Sequence, residues 1–249
     1  MPQDDPARML RADDWPEFRT MQSDQQKRVP SPALEEPAPA GAPLIELPAP
    51  ASFSAGNMSL REAIAQRQTR RKFAETPLSL QELAFMCWAT QGVRQVAPSG
   101  AALLRTVPSG GARHPFETYL IVHRVDGVEP GLYRYLSISH QLCQLTAGDQ
   151  REQAVAACGG QRMAGECAVV FSWVAVPYRV QWRYPLVWPK LVAIDAGHIC
   201  ENLYLAAEAC GCGCCAVAAY SQSAMDTALG VDGEKQYSVY AAVVGKQLA

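Results

Sequence analysis

The chain has 249 residues, which suits one large domain or two small ones with ample material for a single core. Its 22 basic and 24 acidic side chains nearly cancel, which argues against nucleic acid or a membrane surface as the main partner. The start MPQDDPARML has no apolar signal core, and no later run reaches the roughly 18 apolar residues of a membrane span, so a soluble, cytoplasmic protein is expected. Nine cysteines, an odd number, then read as reduced thiols rather than a disulfide framework.

Ten of the eighteen prolines fall in residues 1–50, and the stretch 30–50 is a Pro/Ala-rich arm with little power to form helix. Such an arm is either disordered or ordered by lying across a partner subunit, with Leu44, Ile45, Glu46 and Leu47 as its docking piece. The division expected is an extension over 1–56 and a globular domain over 57–249. Ser59 and Glu62 form a capping box that opens a helix through about Gln66; Ser79 and Glu82 open another, closed by Gly92. After a Pro108-Ser109-Gly110-Gly111 turn, strands are predicted at about 117–124 and 131–136, joined across Asp126-Gly127. Residues 150–158 read as helix and the apolar run 167–176 as a buried strand. A long helix over about 190–209 ends at Gly211, followed by a strand near 215–219, a short helix over 223–229 and a last strand over 237–244. Helices and strands mix without regular βαβ alternation, which favours an α+β layer fold. A Rossmann fold is disfavoured, because no GxGxxG follows a first strand.

Four segments carry candidate chemistry. In the run Arg67-Gln68-Thr69-Arg70-Arg71-Lys72, two arginines four apart with a threonine between them suit a phosphate monoester, or else form a solvated basic helix end. Ser109 with Gly110 and Gly111 is either a loop pressed against a flat or anionic ligand or a tight structural turn. Cys210, Cys212, Cys214 and Cys215 lack the spacing and second ligand pair of a zinc ribbon, and alternate thiols on a strand face opposite sides, so they read as small apolar packing residues and no metal is expected. His198 reads as a hydrogen-bonded core histidine; His114 either faces the active site or serves the loop through its backbone alone.

Taken together these motifs resemble the flavin-dependent nitroreductase superfamily, in its SagB-type branch of thiazole/oxazole peptide dehydrogenases and stand-alone relatives. The resemblance runs from about Ser59 to Lys246. It rests on the Arg67 to Arg71 element, the helix motif Phe85 to Gly92, the loop from Pro108 to Pro115, the hairpin Val128 to Tyr135, and the DAGH and NLYLAAEA pieces of the helix from Asp195 to Ala209. It implies an α+β fold with a mixed, mostly antiparallel central sheet flanked by helices, and an intertwined homodimer with flavin mononucleotide (FMN) at the interface.

The resemblance also implies roles. Within 67–71, Gln68 included, Arg67 would pair with the FMN phosphate, Thr69 would bond the phosphate or ribityl chain, and Arg71 would sit near N1 and O2 of the ring. Pro108, Ser109, Gly110 and Gly111 would approach from the other subunit. A backbone N–H from Val217, Ala218 or Ala219 would aim at flavin N5, unless these small residues only allow close packing. Gln161 would lie at the ring edge. Two departures stand out. Relatives tie a Lys-Tyr pair to azoline oxidation, whereas this chain has Arg183 and Tyr184, and a guanidinium does not shed its proton at ordinary pH. Tyr184 remains a proton donor and Arg183 a site for an anionic substrate. The C-terminal basic pair that clamps phosphate in many nitroreductases is reduced to Lys246.

The function expected is therefore FMN-dependent, ping-pong hydride transfer through N5 between a reductant such as NAD(P)H and an electron-poor small-molecule acceptor. The alternatives are a SagB-like azoline dehydrogenase acting on a modified peptide, and a non-catalytic flavin- or metal-binding redox sensor.

Overall fold

A computed structural model describes residues 7–98, 100 and 102–248. Both capping boxes form: Ser59 opens helix α2 (Leu60–Gln66) and Ser79 opens α3 (Leu80–Gln91), each with the reciprocal glutamate bond, after a single-turn α1 (Trp15–Phe18). The strands are β1 (Leu44–Glu46), β2 (Val93–Val96), β3 (Leu103–Arg105), β4 (Phe116–Val122), β5 (Gly131–Leu136), β6 (Gln141–Ala147), β7 (Val169–Ala175), β8 (Cys212–Val217) and β9 (Tyr237–Lys246). The remaining helices are α4 (Arg151–Ala157), α5 (Met163–Glu166), α6 (Tyr178–Gln181), α7 (Trp188–Ala209) and α8 (Gln222–Leu229). No helix among the described residues is long and apolar enough to cross a membrane, and all nine cysteines are free.

Seven strands form one antiparallel sheet in the order β1-β6-β5-β4-β7-β9-β8, and β2 and β3 pair separately. Strands β4, β5 and β7 are buried along their whole length, because helices cover both faces. The pleat sorts their side chains. Phe116, Leu120, Phe171 and Trp173 enter the core shared with α3 and α7; Tyr119, Ile121, Val170 and Val174 enter the one under α4, α5 and α8. Helix α7 spans 22 residues, and Val192, Ala196, Ile199 and Leu203 place its buried face on the sheet at helical spacing.

Beyond the short β2, β3, α1, α5 and α6, which the sequence did not suggest, three elements differ from expectation in ways that shape the sheet. Strand β8 starts at Cys212 rather than near 215, since Gly211 adopts φ 64° just past α7 and turns the chain directly onto β9. Strand β6 was not anticipated; Gln141 and Gln144 dilute its alternation, yet it pairs with β5 along its length. The arm neither lies free nor needs a partner subunit to dock. Leu44–Glu46 is added to the edge of β6, meeting Cys143, Leu142 and Gln141, which satisfies backbone groups that an open edge would expose.

A buried charge cluster holds the arm just before that strand. Arg179, 2% exposed, pairs with Glu117 at 2.6 Å and donates from Nε to the Ala33 carbonyl at 2.8 Å. The Glu36 amide donates to Glu117 at 2.9 Å, and Arg134 donates to the carbonyls of Glu36 and Pro37 at 3.0 and 2.7 Å. Breaking such a buried pair by removing one member costs about 3–5 kcal/mol, so the arm is part of the fold.

Candidate active site

Helix α2 ends at Gln66 and Arg67 is its C-cap, so the basic run continues as extended chain rather than as a helix face. Thr69 makes a parallel bridge to Cys214, and the Arg70 amide donates to the Cys214 carbonyl at 2.9 Å. In extended backbone, residues 67, 69 and 71 share one side and residue 70 takes the other. That period decides which cations are available. Arg70 forks onto buried Glu208 at 2.5 and 3.1 Å, whereas Arg67 and Arg71 have no carboxylate partner among the described residues. Gln68 is exposed between them.

Tyr204 of α7 organises this corner. Its hydroxyl accepts the Ala216 amide at 2.8 Å and lies 3.3 Å from the Thr69 hydroxyl, while the Arg67 guanidinium sits 5.4 Å from its ring centroid. Burial pushes the Cys215 thiol up, and neighbouring Arg71 pulls it back. Strand β8 is a sheet edge, and its outward backbone is spent in sequence: the Cys214 carbonyl on Arg70, the Ala216 amide on Tyr204. Two residues on, the Ala218 amide points to the same side, with no partner among the described residues, and both Ala218 and Ala219 are exposed. The turn carrying Gly159, Gly160 and Gln161 abuts it, because Gln161 Nε2 donates to the carbonyls of Ala219 and Cys158 at 2.8 and 3.0 Å. The Val217 side chain belongs to the core.

A second group forms at the other end of α7. Past exposed Pro108, the Ser109 hydroxyl donates to Asp195 at 2.5 Å and accepts the His114 amide at 2.9 Å, and the Gly110 amide donates to Asp195 at 3.2 Å. Gly111 is required twice over: its φ is 62°, and a Cβ there would lie 2.5 Å from the Tyr184 hydroxyl. Burial raises the Asp195 carboxyl, with the Ser109 and Gly110 bonds opposing that rise. Burial, then Arg105, pushes His114 down to about 3, leaving it a neutral wall. Arg183 lies with its guanidinium 5.4 Å from the Tyr184 ring centroid.

Asp195 and Tyr204 are nine residues apart, so the groups lie about 14 Å apart along α7 and half a turn around it. Within one chain the two groups therefore face different sides of α7. Lys246 occupies a third place, opposite Cys212 on β9, where it ion-pairs with Glu82 rather than joining Arg67 and Arg71. His198 is exposed, contrary to the core role expected, because it falls on the outer face of α7. Cys212 and Cys214 pack toward α7 and Cys215 toward the opposite core, as the pleat demands. Sequence reasoning overlooked Tyr204, Asp195 and Glu208, although all three lie in the DAGH to NLYLAAEA helix; their sites are partners of residues distant in the chain.

The chain thus combines an antiparallel seven-stranded sheet, a cation pair without a carboxylate partner among the described residues beside its edge strand, and a glycine loop on the far side of one long helix. The family model described as Nitroreductase family matches residues 64–246, and the chain belongs to that family, whose members generally bind a flavin. A Methanocaldococcus jannaschii protein named as a nitroreductase is 27% identical over 191 residues, covering 77% of this chain and 92% of the relative. The trifolitoxin-processing protein TfxB of Rhizobium leguminosarum is 30% identical over 119 residues, 45% of this chain and 32% of TfxB, in keeping with the SagB-type branch. Among solved structures, a Ralstonia eutropha protein assigned as a nitroreductase superposes with TM-score 0.69 at 26% identity, covering 89% of this chain and 98% of its own. The Escherichia coli microcin synthetase McbBCD complex shares the fold, with TM-score 0.61 at 17% identity and 98% and 95% coverage.

Proposed function

We propose that the protein is a homodimeric, FMN-dependent oxidoreductase that works by ping-pong hydride transfer between a reductant such as NAD(P)H and an electron-poor organic acceptor of nitroaromatic or quinone type. The observation that carries this reading is the selective neutralisation in the run 67–71: Arg70 is bound by Glu208, and Arg67 and Arg71 are left for an outside anion. The residues fit FMN. Arg67 and Thr69 would hold the phosphate, with exposed Gln68 beside them, and Arg71 would offset the negative charge that the N1/O2 edge gains on reduction. The unspent Ala218 amide suits a bond to the ring, with Val217, Ala219 and Gln161 shaping that edge. Held there, FMN would supply a hydride acceptor and donor at its N5 between reductant and acceptor.

The loop with Pro108, Ser109, Gly110 and Gly111 and its neighbour Tyr184 would complete the partner's site, since half a helical turn separates them from Arg67 in their own chain. Tyr184 would give a proton to the reduced acceptor, and Arg183 would hold an anionic substrate group. Lys246, committed to Glu82, would contribute at most long-range charge to phosphate binding. The similarity to TfxB favours a second reading, azoline dehydrogenation on a modified peptide, in which Tyr184 acts without a lysine. The test is purification, a visible spectrum and cofactor release. Reductant consumption that scales with bound FMN is expected; a colourless protein that takes up no FMN overturns both readings.

A further inference from the structure

The segment 8–29 packs over Tyr184 and makes with it and Arg183 a cleft that extends beyond the Ser109 loop group. Trp15 and Phe18 of α1 pack on the Tyr184 ring with centroids 6.3 and 5.8 Å away. The segment is tied down along its length: Lys190 donates to the carbonyls of Leu10 and Arg11 at 2.8 and 3.0 Å, Tyr178 to Asp24 at 3.0 Å, and Trp182 Nε1 to the Val29 carbonyl at 2.9 Å. Between segment and body lies a cavity of about 350 Å³ lined by Phe18, Arg19, Ser23, Gln26, Arg183 and Tyr184. That size holds a small organic molecule.

Its charge is one-sided. Among the described residues, the acids of the segment are spent on other cations: Asp14 and Glu17 on Arg8, Asp13 on Arg11, and Asp24 on Lys27. Arg19 and Arg183 have no carboxylate within ion-pair distance among the described residues. Just behind them, Arg113 lies 5.1 Å from the Trp182 ring centroid, and burial followed by the like charge of Arg183 pushes it below its ordinary value. Two aromatic rings, two guanidinium forks, Met21 and three polar side chains, Gln25 among them, thus surround one space.

We infer that this cleft binds a planar organic carboxylate, its anion between Arg19 and Arg183 and its ring against Phe18 and Tyr184. The assignment rests on the proposed function only in making that molecule the acceptor. Tyr184 joins the two places, since its hydroxyl abuts Gly111 of the loop that would cover the partner's flavin. The arm thereby becomes a specificity element: it selects anionic acceptors over neutral ones of the same shape.

Calorimetric titration of the full chain with benzoate and with benzamide, its neutral isostere, tests the cleft. Benzoate should bind at least about tenfold tighter, and Arg19→Gln should remove most of that preference while leaving benzamide within about twofold. Arg19→Gln/Arg183→Gln should abolish it. Equal affinity for the two ligands, or a preference that survives the double substitution, overturns the proposal. Heat of binding needs no turnover, so the result holds even for a chain that fails to take up FMN. In the flavin-loaded protein, Arg19→Gln should lower kcat/KM for 4-nitrobenzoate relative to 4-nitrobenzamide by about tenfold, through KM. An unchanged ratio beside an intact binding preference would remove the cleft from the acceptor's path.

Discussion

The two halves of α7 carry polar groups of opposite character. Around Tyr204 some are left over: Arg70 and the Ala216 amide are bonded, but Arg67 and Arg71 lack a carboxylate and the exposed Ala218 amide lacks a partner among the described residues. Around Asp195 they are consumed on one another, with Ser109, Gly110 and the His114 amide locked on a carboxylate and a hydroxyl. The first half is a surface that waits for a counter-charge. The second is a wall whose shape is set before any ligand arrives, which lowers the cost of ordering it on binding.

Removing the charge at one end should have the largest effect. Arg67→Ala/Arg71→Ala should weaken FMN binding by at least about a hundredfold in a fluorescence titration, because each charge-assisted bond is worth about 1.5–3 kcal/mol. Ser109→Ala, at the other end, should stay within about tenfold. If the two losses are equal, the halves are not distinct in kind. A mixing experiment then asks whether they meet across subunits. Neither the double-arginine variant nor Gly111→Val should turn over alone, but an equimolar, re-assorted mixture should recover about a quarter of wild-type activity, since about half the dimers are heterodimers and one site in two of each draws both intact halves together. No recovery would place a complete site within one chain.

A smaller effect tests the scaffold. Tyr204→Phe removes the hydroxyl that takes the Ala216 amide and meets Thr69, and should weaken FMN by about fivefold, the worth of one ordinary hydrogen bond near 1 kcal/mol. The smallest concerns acid. His114 is held near 3 in the fold, so it stays neutral while the unfolded chain takes up its proton below about pH 6.5. The stability this contributes is full above that pH and is lost as the pH falls toward 3. Between pH 7 and 4.5 the wild-type Tm should drop a few degrees further than that of His114→Gln, with the arginine end unaffected. Parallel drops would assign the acid lability elsewhere.

How much of this was legible follows from the range of each interaction. The capping boxes at Ser59 and Ser79 join residues three apart, and the strands at 116–122, 131–136 and 169–175 carry continuous burial, so both were read from local text. The Arg67-x-Thr69-x-Arg71 spacing suggested an anion site, but the text left open whether helix or extended chain would present it. Strand β6 and the early start of β8 escaped because glutamines and Cys-Gly alternation carry little strand propensity and gain their form from neighbours. The arm escaped for the same reason on a larger scale: its Pro/Ala text has no intrinsic structure, and Glu117, Arg134 and Arg179 supply it.

By itself, then, the order of residues determined the family, the helices with self-contained caps, the fully buried strands and the kinds of group that would meet a flavin, all encoded within a few residues of one another. Tertiary structure alone decided which arginine in the basic run is neutralised, that the loop and the cations stand half a turn apart around one helix, and that the segment with Trp15 and Phe18 lies over Tyr184. Those outcomes depend on partners tens to well over a hundred positions away, whose charge and backbone groups become neighbours only when the sheet and α7 pack.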